Sequence, residues 1–178
     1  MNQGSPSQPG GDALPRGFVE AYLHELDRVR EVTVRTARLV PDVLWPESPA
    51  AGMMTVAELL GHVLDTERGI ASGVGGGPWN FDAAGEGSSP PVGGSLFHPA
   101  EDFARRSAEV RVETAAVLRR LGETGLWAEV VAPFGYRGPA LFLVDSIREN
   151  EVHHRGQVFI VLRKHGLKPP WLYGEEAG

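Results

Sequence analysis

The sequence predicts an all-α fold, a four-helix bundle with long inter-helix loops. Four segments repeat apolar residues every three or four positions, the spacing that lines one face of a helix. No segment reads as a confident strand. The 178 residues suffice for one domain with its own core, and no internal repeat divides them.

Residues 1–14, MNQGSPSQPGGDAL, are rich in Gly, Pro, Ser and Gln and are expected to form a flexible tail. They lack the basic start and long apolar middle of a signal peptide. Residues 15–178 are expected to form the single domain. From Pro15 to about Val40, Phe18, Tyr22, Leu26, Val29, Thr33, Thr36 and Val40 mark the first helix, with Pro41 as its stop. PDVLWPESPAAGM follows as a proline-broken loop. The second helix is TVAELLGHVLDTERGIAS. Thr55 and Glu58 make a capping-box pattern at its start, and Val56, Leu59, Leu60, Val63, Leu64 and Ile70 form its buried side. GVGGGPWNFDAAGEGSSPPVGGS holds too much Gly and Pro for regular structure, and a loop this long is usually functional or disordered. A third helix starts around Phe97-His98-Pro99 and is expected to end at Gly122. LWAEVVAPFGYRGPA is irregular, with room for a brief extended piece. The fourth helix runs from about Pro139 to His165, closed by Gly166 and Pro169-Pro170. A short tail with Trp171 and Tyr173 is expected to pack back on the bundle.

Composition narrows the function. A net charge of −6, from 17 basic and 23 acidic residues, gives no basic footprint for phosphate and argues against nucleic-acid binding. No apolar run has the length of a membrane span. The expected location is cytoplasmic. With no cysteine, a metal must be held by His, carboxylate, amide or water, and any nucleophilic thiol must come from a substrate.

The stretch NEVHHRGQ, Asn150 to Gln157, carries the main chemical candidate. Each helical residue turns about 100°, so His153 and His154 point in different directions. Asn150 or Glu151 shares a face with His154, one turn away, and such a pair can chelate an ion inside a bundle. A third ligand must come from another helix, and His62 on the second helix is the best donor. Glu67 lies still closer to the centre of that helix's apolar stripe and needs a partner. It could accept from a ligand histidine or pair with Arg155. Mid-helix histidines are also common as packed or surface residues. Arg155 and Gly156 fit a salt bridge and close helix packing equally well. His24, His98 and His165 are weaker candidates. No phosphate loop, nucleophile elbow or HExxH motif is present.

ELLGHVLDTER, followed much later by NEVHHRGQVFIVLRKHGLKPPWLYG, resembles the DinB-like (DinB/YfiT-like) metalloenzyme superfamily, from about Pro15 to Tyr173. The resemblance implies a four-helix bundle with an unusual helix order. It also implies a divalent metal, zinc or nickel foremost and manganese as an option, held by three side chains that are typically all histidines. One ligand comes from the second helix and two from a pair one turn apart on the last. On this chain these positions are His62, Asn150 and His154. Asn150 departs from the pattern; relatives that isomerise maleylpyruvate with mycothiol carry Glu there. An amide oxygen is neutral and suits harder ions than zinc, and Glu151 is the nearest source of the missing charge.

Three functions follow as expectations. The first is a metal-dependent enzyme acting on a small molecule, with a low-molecular-weight thiol as cosubstrate in S-transfer or isomerisation. In it Glu67 or Glu151 serves as base, Arg155 and Gln157 orient the site, and the Gly-rich loop with Trp79 and Phe81 forms a lid. A metal-dependent hydrolase would use the same ion. The second is a non-catalytic small-molecule-binding or stress protein with a degenerate metal site. The third, compatible with both, is a homodimer formed through the first and third helices.

Overall fold

The computed structural model describes residues 14–81 and 99–172. Its helices are α1 (Phe18–Arg38), α2 (Val56–Val74), α3 (Pro99–Trp127) and α4 (Ala140–Lys164). A 3-10 turn, Asp42–Leu44, lies between α1 and α2. The expected boundaries of α1, α2 and α4 agree with the structure to within a few residues. At the start of α2 both halves of the capping box are made: the Glu58 amide donates to Thr55 Oγ1 at 3.2 Å, and the Thr55 amide donates to Glu58 Oε2 at 2.7 Å.

Two elements differ from the sequence reading. The third helix does not end at Gly122. That glycine takes a left-handed φ of 61° and breaks the helix, and a second helical segment continues to Trp127. Leu126 explains the continuation, because the segment buries it completely in the core. The stretch read as irregular with room for a brief extended piece forms two of them, paired as an antiparallel hairpin, β1 (Glu129–Val131) against β2 (Arg137–Pro139), with Glu129 opposite Pro139 and Val131 opposite Arg137. Strands of three residues are too short to display the alternation that announces a strand. Arg35 Nη2 donates a hydrogen bond to the Trp171 carbonyl of the tail at 3.1 Å, while Trp171 stays half exposed. Tyr173 and His98 lie outside the described residues.

The helix order is not a simple up-and-down meander. α1 packs on α3 and α4, and α2 packs on α3 and α4, so the consecutive helices α1 and α2 lie diagonally opposite. One apolar cluster joins the end of α1 and the starts of α2 and α3 to the end of α4. A second joins the start of α1 and the ends of α2 and α3 to the start of α4. α1 and α4 therefore run one way, and α2 and α3 the other. Two parallel neighbours need a connection that returns the whole helix length. For the 19 residues of α2 that is about 28 Å, which accounts for the long Gly-rich segment between α2 and α3.

Between the two clusters the core is interrupted by a polar layer. Arg30 and Thr33 from α1, Glu67 from α2, Ser107, Arg111 and Thr114 from α3, and Glu151, His154 and Arg155 from α4 are all buried there.

Candidate metal centre

α2 and α4 pack against each other in opposite directions, and this brings His62 of α2 against Asn150 and His154 of α4. The two imidazole rings stand edge to face with centroids 4.8 Å apart. His62 Nε2 accepts from the Asn150 amide, Nδ2, at 3.4 Å and has the Thr66 hydroxyl at 3.3 Å. His154 Nδ1 donates to Gln157 Oε1 at 2.9 Å, which leaves Nε2 as its unprotonated nitrogen. Gln157 also donates through Nε2 to His153 Nε2 at 3.1 Å. His153 itself is exposed and outside the inward-facing set. Burial pushes the His154 pKa down, opposed by the Gln157 bond and helped by His62 and His153, a shift that favours the neutral ring a metal ligand must present.

His62, Asn150 and His154 are thus brought together, and they fit a divalent ion as a neutral three-donor set. Asn150 Oδ1 supports this fit: it is buried and no group among the described residues hydrogen-bonds to it. Turning the amide about χ2 exchanges Nδ2 for Oδ1 without moving the helix. Among the described residues, no third His, Asp or Glu converges with the two histidines.

Glu67 and Glu151 are not brought to this set. Both are 0% exposed and belong to a buried ion network centred on Arg30. Arg30 donates through Nε to Glu151 Oε1 at 2.8 Å, and through Nη2 to Glu151 Oε2 at 3.0 Å and to Glu67 Oε2. Arg111 Nη1 lies 3.2 Å from Glu67 Oε1, and its Nε lies 3.2 Å from Asp27 Oδ1. Burial pushes the Glu151 carboxyl up, but the charge and hydrogen bonds of Arg30, with Thr33 and Arg111, more than offset it, and the net shift is downward. Burial likewise opposes the Arg30 charge, and Glu151 and Glu67 overcome it. The pairing of Glu67 with Arg155 expected from the sequence is corrected. Arg155 donates instead to the Val29 carbonyl at 3.0 Å and to Thr33 Oγ1 at 3.3 Å, while Glu67 pairs with Arg30 and Arg111.

Arg30 and Arg111 were the residues that sequence reading missed. The signal was present for Arg30, which falls on the apolar stripe of α1 between Leu26 and Thr33. Trp79 and Phe81 also lie elsewhere than a lid would require. They pack on α2 at Gly73 and Gly69, where a Cβ would collide with their rings, and both rings meet Phe134 of the hairpin turn. Those glycines are seven and eleven residues past His62, about 10 and 16 Å along the axis. The rest of that loop, residues 82–98, lies outside the described residues. His24 and His165 are exposed.

Fold and site together define a helical-bundle protein with a histidine pair facing across its second and fourth helices. The chain belongs to the DinB family, whose model matches residues 15–177. It is 24% identical over 139 residues to the uncharacterised protein YjoA of Bacillus subtilis (strain 168), covering 77% of this chain and 84% of that protein. The crystal structure of that DinB-like protein superposes with a TM-score of 0.65 at 20% identity, over 88% of this chain and 99% of the other. A DinB-like protein from Bacillus cereus ATCC 10987 gives 0.65 and 20%, over 86% and 97%. A variant of the mycothiol-dependent maleylpyruvate isomerase gives 0.57 and 16%, over 84% of this chain and 67% of that one. These likenesses establish the fold. No helix among the described residues is long and apolar enough to cross a membrane.

Proposed function

We propose that this protein is a divalent-metal-dependent enzyme that acts on a small molecule with a low-molecular-weight thiol as cosubstrate, in S-transfer or isomerisation. The observation that carries the reading is the meeting of His62, Asn150 and His154 from two antiparallel helices, in a chain that has no cysteine of its own. These three would hold the ion. Zinc or nickel suits the imidazoles, and manganese suits the amide oxygen. When bound, such an ion acidifies a coordinated thiol or water.

The chain's own residues prepare the site. Gln157 fixes the tautomer and aim of His154. Thr66 steadies His62. Glu67 and Glu151, tied to Arg30, set the rotation of α2 and α4 about their axes, so they serve the site by positioning. The shared fold with the mycothiol-dependent isomerase supports a thiol over water as the activated group. A metal-dependent hydrolase would use the same ion to make hydroxide. In this reading the enzyme is cytoplasmic and a homodimer through α1 and α3; light scattering that shows only monomer at micromolar concentration removes the dimer.

A second reading has one observation in its favour. The Asn150 amide donates to the His62 nitrogen that a metal would use, which closes the site on itself, as a non-catalytic binding or stress protein with a degenerate centre would. Metal content of the purified, untagged protein by mass spectrometry decides between them. About one equivalent in wild type, lost in both His62→Ala and His154→Ala, is expected. No metal after incubation with zinc, nickel and manganese overturns the enzyme reading in favour of the second.

A further inference from the structure

We infer that the groove between α2 and α3 is a second binding site, separate from the metal centre, for a small organic monocarboxylate that carries a hydroxyl group. A cavity of about 370 Å³ lies there, near the lower end of the roughly 300–1,000 Å³ of ligand pockets. It sits on the α3 side of α2, whereas His62 of the same helix meets α4. Arg68, Glu113 and Arg120 carry its charge. The glycine run after α2 shapes it. A Cβ on Gly75 would meet Arg120 Nη2 at 2.8 Å and Val117 Cγ1 at 2.9 Å, and one on Gly77 would meet Ser72 Oγ at 2.6 Å. Bare backbone here lets α3 approach and leaves Arg120 and Ser72 in place along the cavity.

The charges select the ligand. Arg68 donates through Nε to Glu113 Oε2 at 2.9 Å, and Arg120 donates through Nη2 to the Gly75 carbonyl at 2.9 Å. Their other guanidinium N–H groups have no partner among the described residues. Two guanidinium groups against one carboxylate leave one positive charge unmatched, and a planar fork of donors suits a second carboxylate. The end of α2 does not offer free acceptors instead. The Gly76 and Gly77 amides donate to the Gly73 and Ser72 carbonyls, closing the helix on itself, and Arg120 takes the carbonyl of Gly75. Glu113 and the negative pole of α2 both count against a dianion such as phosphate.

Thr114 adds an independent sign. It lines the cavity and is wholly buried, and its hydroxyl has no hydrogen-bond partner among the described residues. A buried polar group left unpaired is costly, and a hydroxyl on the bound molecule would relieve that cost. Ser72 offers a further hydroxyl, and Ala71 and Val117 give the aliphatic carbon of the ligand an apolar wall.

The test uses β-hydroxybutyrate as probe, with β-hydroxybutyramide as its uncharged analogue and inorganic phosphate as the dianion. Each is titrated into the full-length, nitrogen-labelled protein at fixed ionic strength, and amide correlation spectra are recorded. Saturable shifts of the Gly75, Gly76 and Gly77 amides are expected with β-hydroxybutyrate, with none from the amide analogue and weaker ones from phosphate. Arg68→Gln and Arg120→Gln, each checked for native circular dichroism, are expected to raise the half-saturating concentration about tenfold. Arg120→Lys can still bond the Gly75 carbonyl but lacks the fork, and should fall between. Thr114→Val is expected to raise it about three- to tenfold while the Tm of the free protein stays level or rises, because an unpaired buried hydroxyl has gone. No saturable shift at these glycines, or equal shifts from the amide analogue, overturns the site. Tighter binding of phosphate overturns the monocarboxylate. Unchanged binding in both glutamine variants overturns the role of the arginines, and unchanged binding in Thr114→Val overturns that of its hydroxyl.

Discussion

Replacing Arg30 by Met tests the polar layer most directly. Arg30 holds two carboxylates that are both 0% exposed, with bonds at 2.8 and 3.0 Å to Glu151 and a further one to Glu67. Met fills most of the volume but removes the charge. Breaking a buried ion pair from one side costs about 3–5 kcal/mol, because the partner stays buried and uncompensated. Here two partners are stranded, although Arg111 remains 3.2 Å from Glu67 and limits the loss. A typical domain has only about 5–15 kcal/mol in total. At about 2–4 °C per kcal/mol for a chain of this size, Tm should fall roughly 6–20 °C. Urea unfolding followed by circular dichroism gives the free energy, and a thermal scan gives Tm. Arg30→Lys, which keeps the charge but loses the planar fork, should fall between. Adding Glu67→Gln and Glu151→Gln to Arg30→Met should recover part of the loss, since the stranded charges go with them. An Arg30→Met protein within about 1 kcal/mol of wild type would refute the view that Arg30 neutralises both acids.

Other expectations follow from single contacts. Thr55→Ala removes the cap of α2 and should cost about 1 kcal/mol. The Glu58 carboxyl is held below 4.5, first by the Thr55 amide and then by its hydroxyl, so its contribution is present above that value and is lost as pH falls through the lower folded value. Glu58→Gln, which lacks that titration, should therefore show a flatter stability profile below pH 4.5 than wild type in acid titrations of unfolding. Gly73→Ala would push a methyl group into the Trp79 ring. It should destabilise by about 1–3 kcal/mol and red-shift the Trp79 emission. Gln157→Leu removes the acceptor of His154 Nδ1. Nitrogen NMR should show mixed His154 tautomers, and metal affinity should drop about 10–100-fold; an unchanged tautomer would remove Gln157 from the site.

The sequence displayed its long elements because their apolar spacing is regular. Leu59, Leu60, Val63 and Leu64 give α2 its buried side and Thr55 with Glu58 its start, and both agree with the structure. The hairpin and the helix beyond Gly122 were not visible, because three-residue strands have no period and the break depends on where Leu126 is buried. His62, Asn150 and His154 were legible as one set, through turn spacing on α4 and the place of His62 on the second helix, and the resemblance points to the same three positions. The partners of Glu67 were not. Spacing places Glu67 on the buried face, but only the helix order decides whether Arg30, Arg111 or Arg155 meets it. Arg30 on the apolar stripe of α1 was the available clue, because an arginine on a buried face needs acids from other helices.

The diagonal placement of α1 and α2 has a consequence for how the chain is made. The half leaving the ribosome first cannot close into a helical hairpin, since its two helices share no substantial face. Each waits for α3 or α4, and Arg30 waits for Glu151, which arrives only with the last helix. Until Ala140–Lys164 has emerged, the faces of α1 and α2 that α4 covers stay open to water and to other chains. Both apolar clusters thus close only when α4 arrives, and this helix acts as the latch on which native assembly depends.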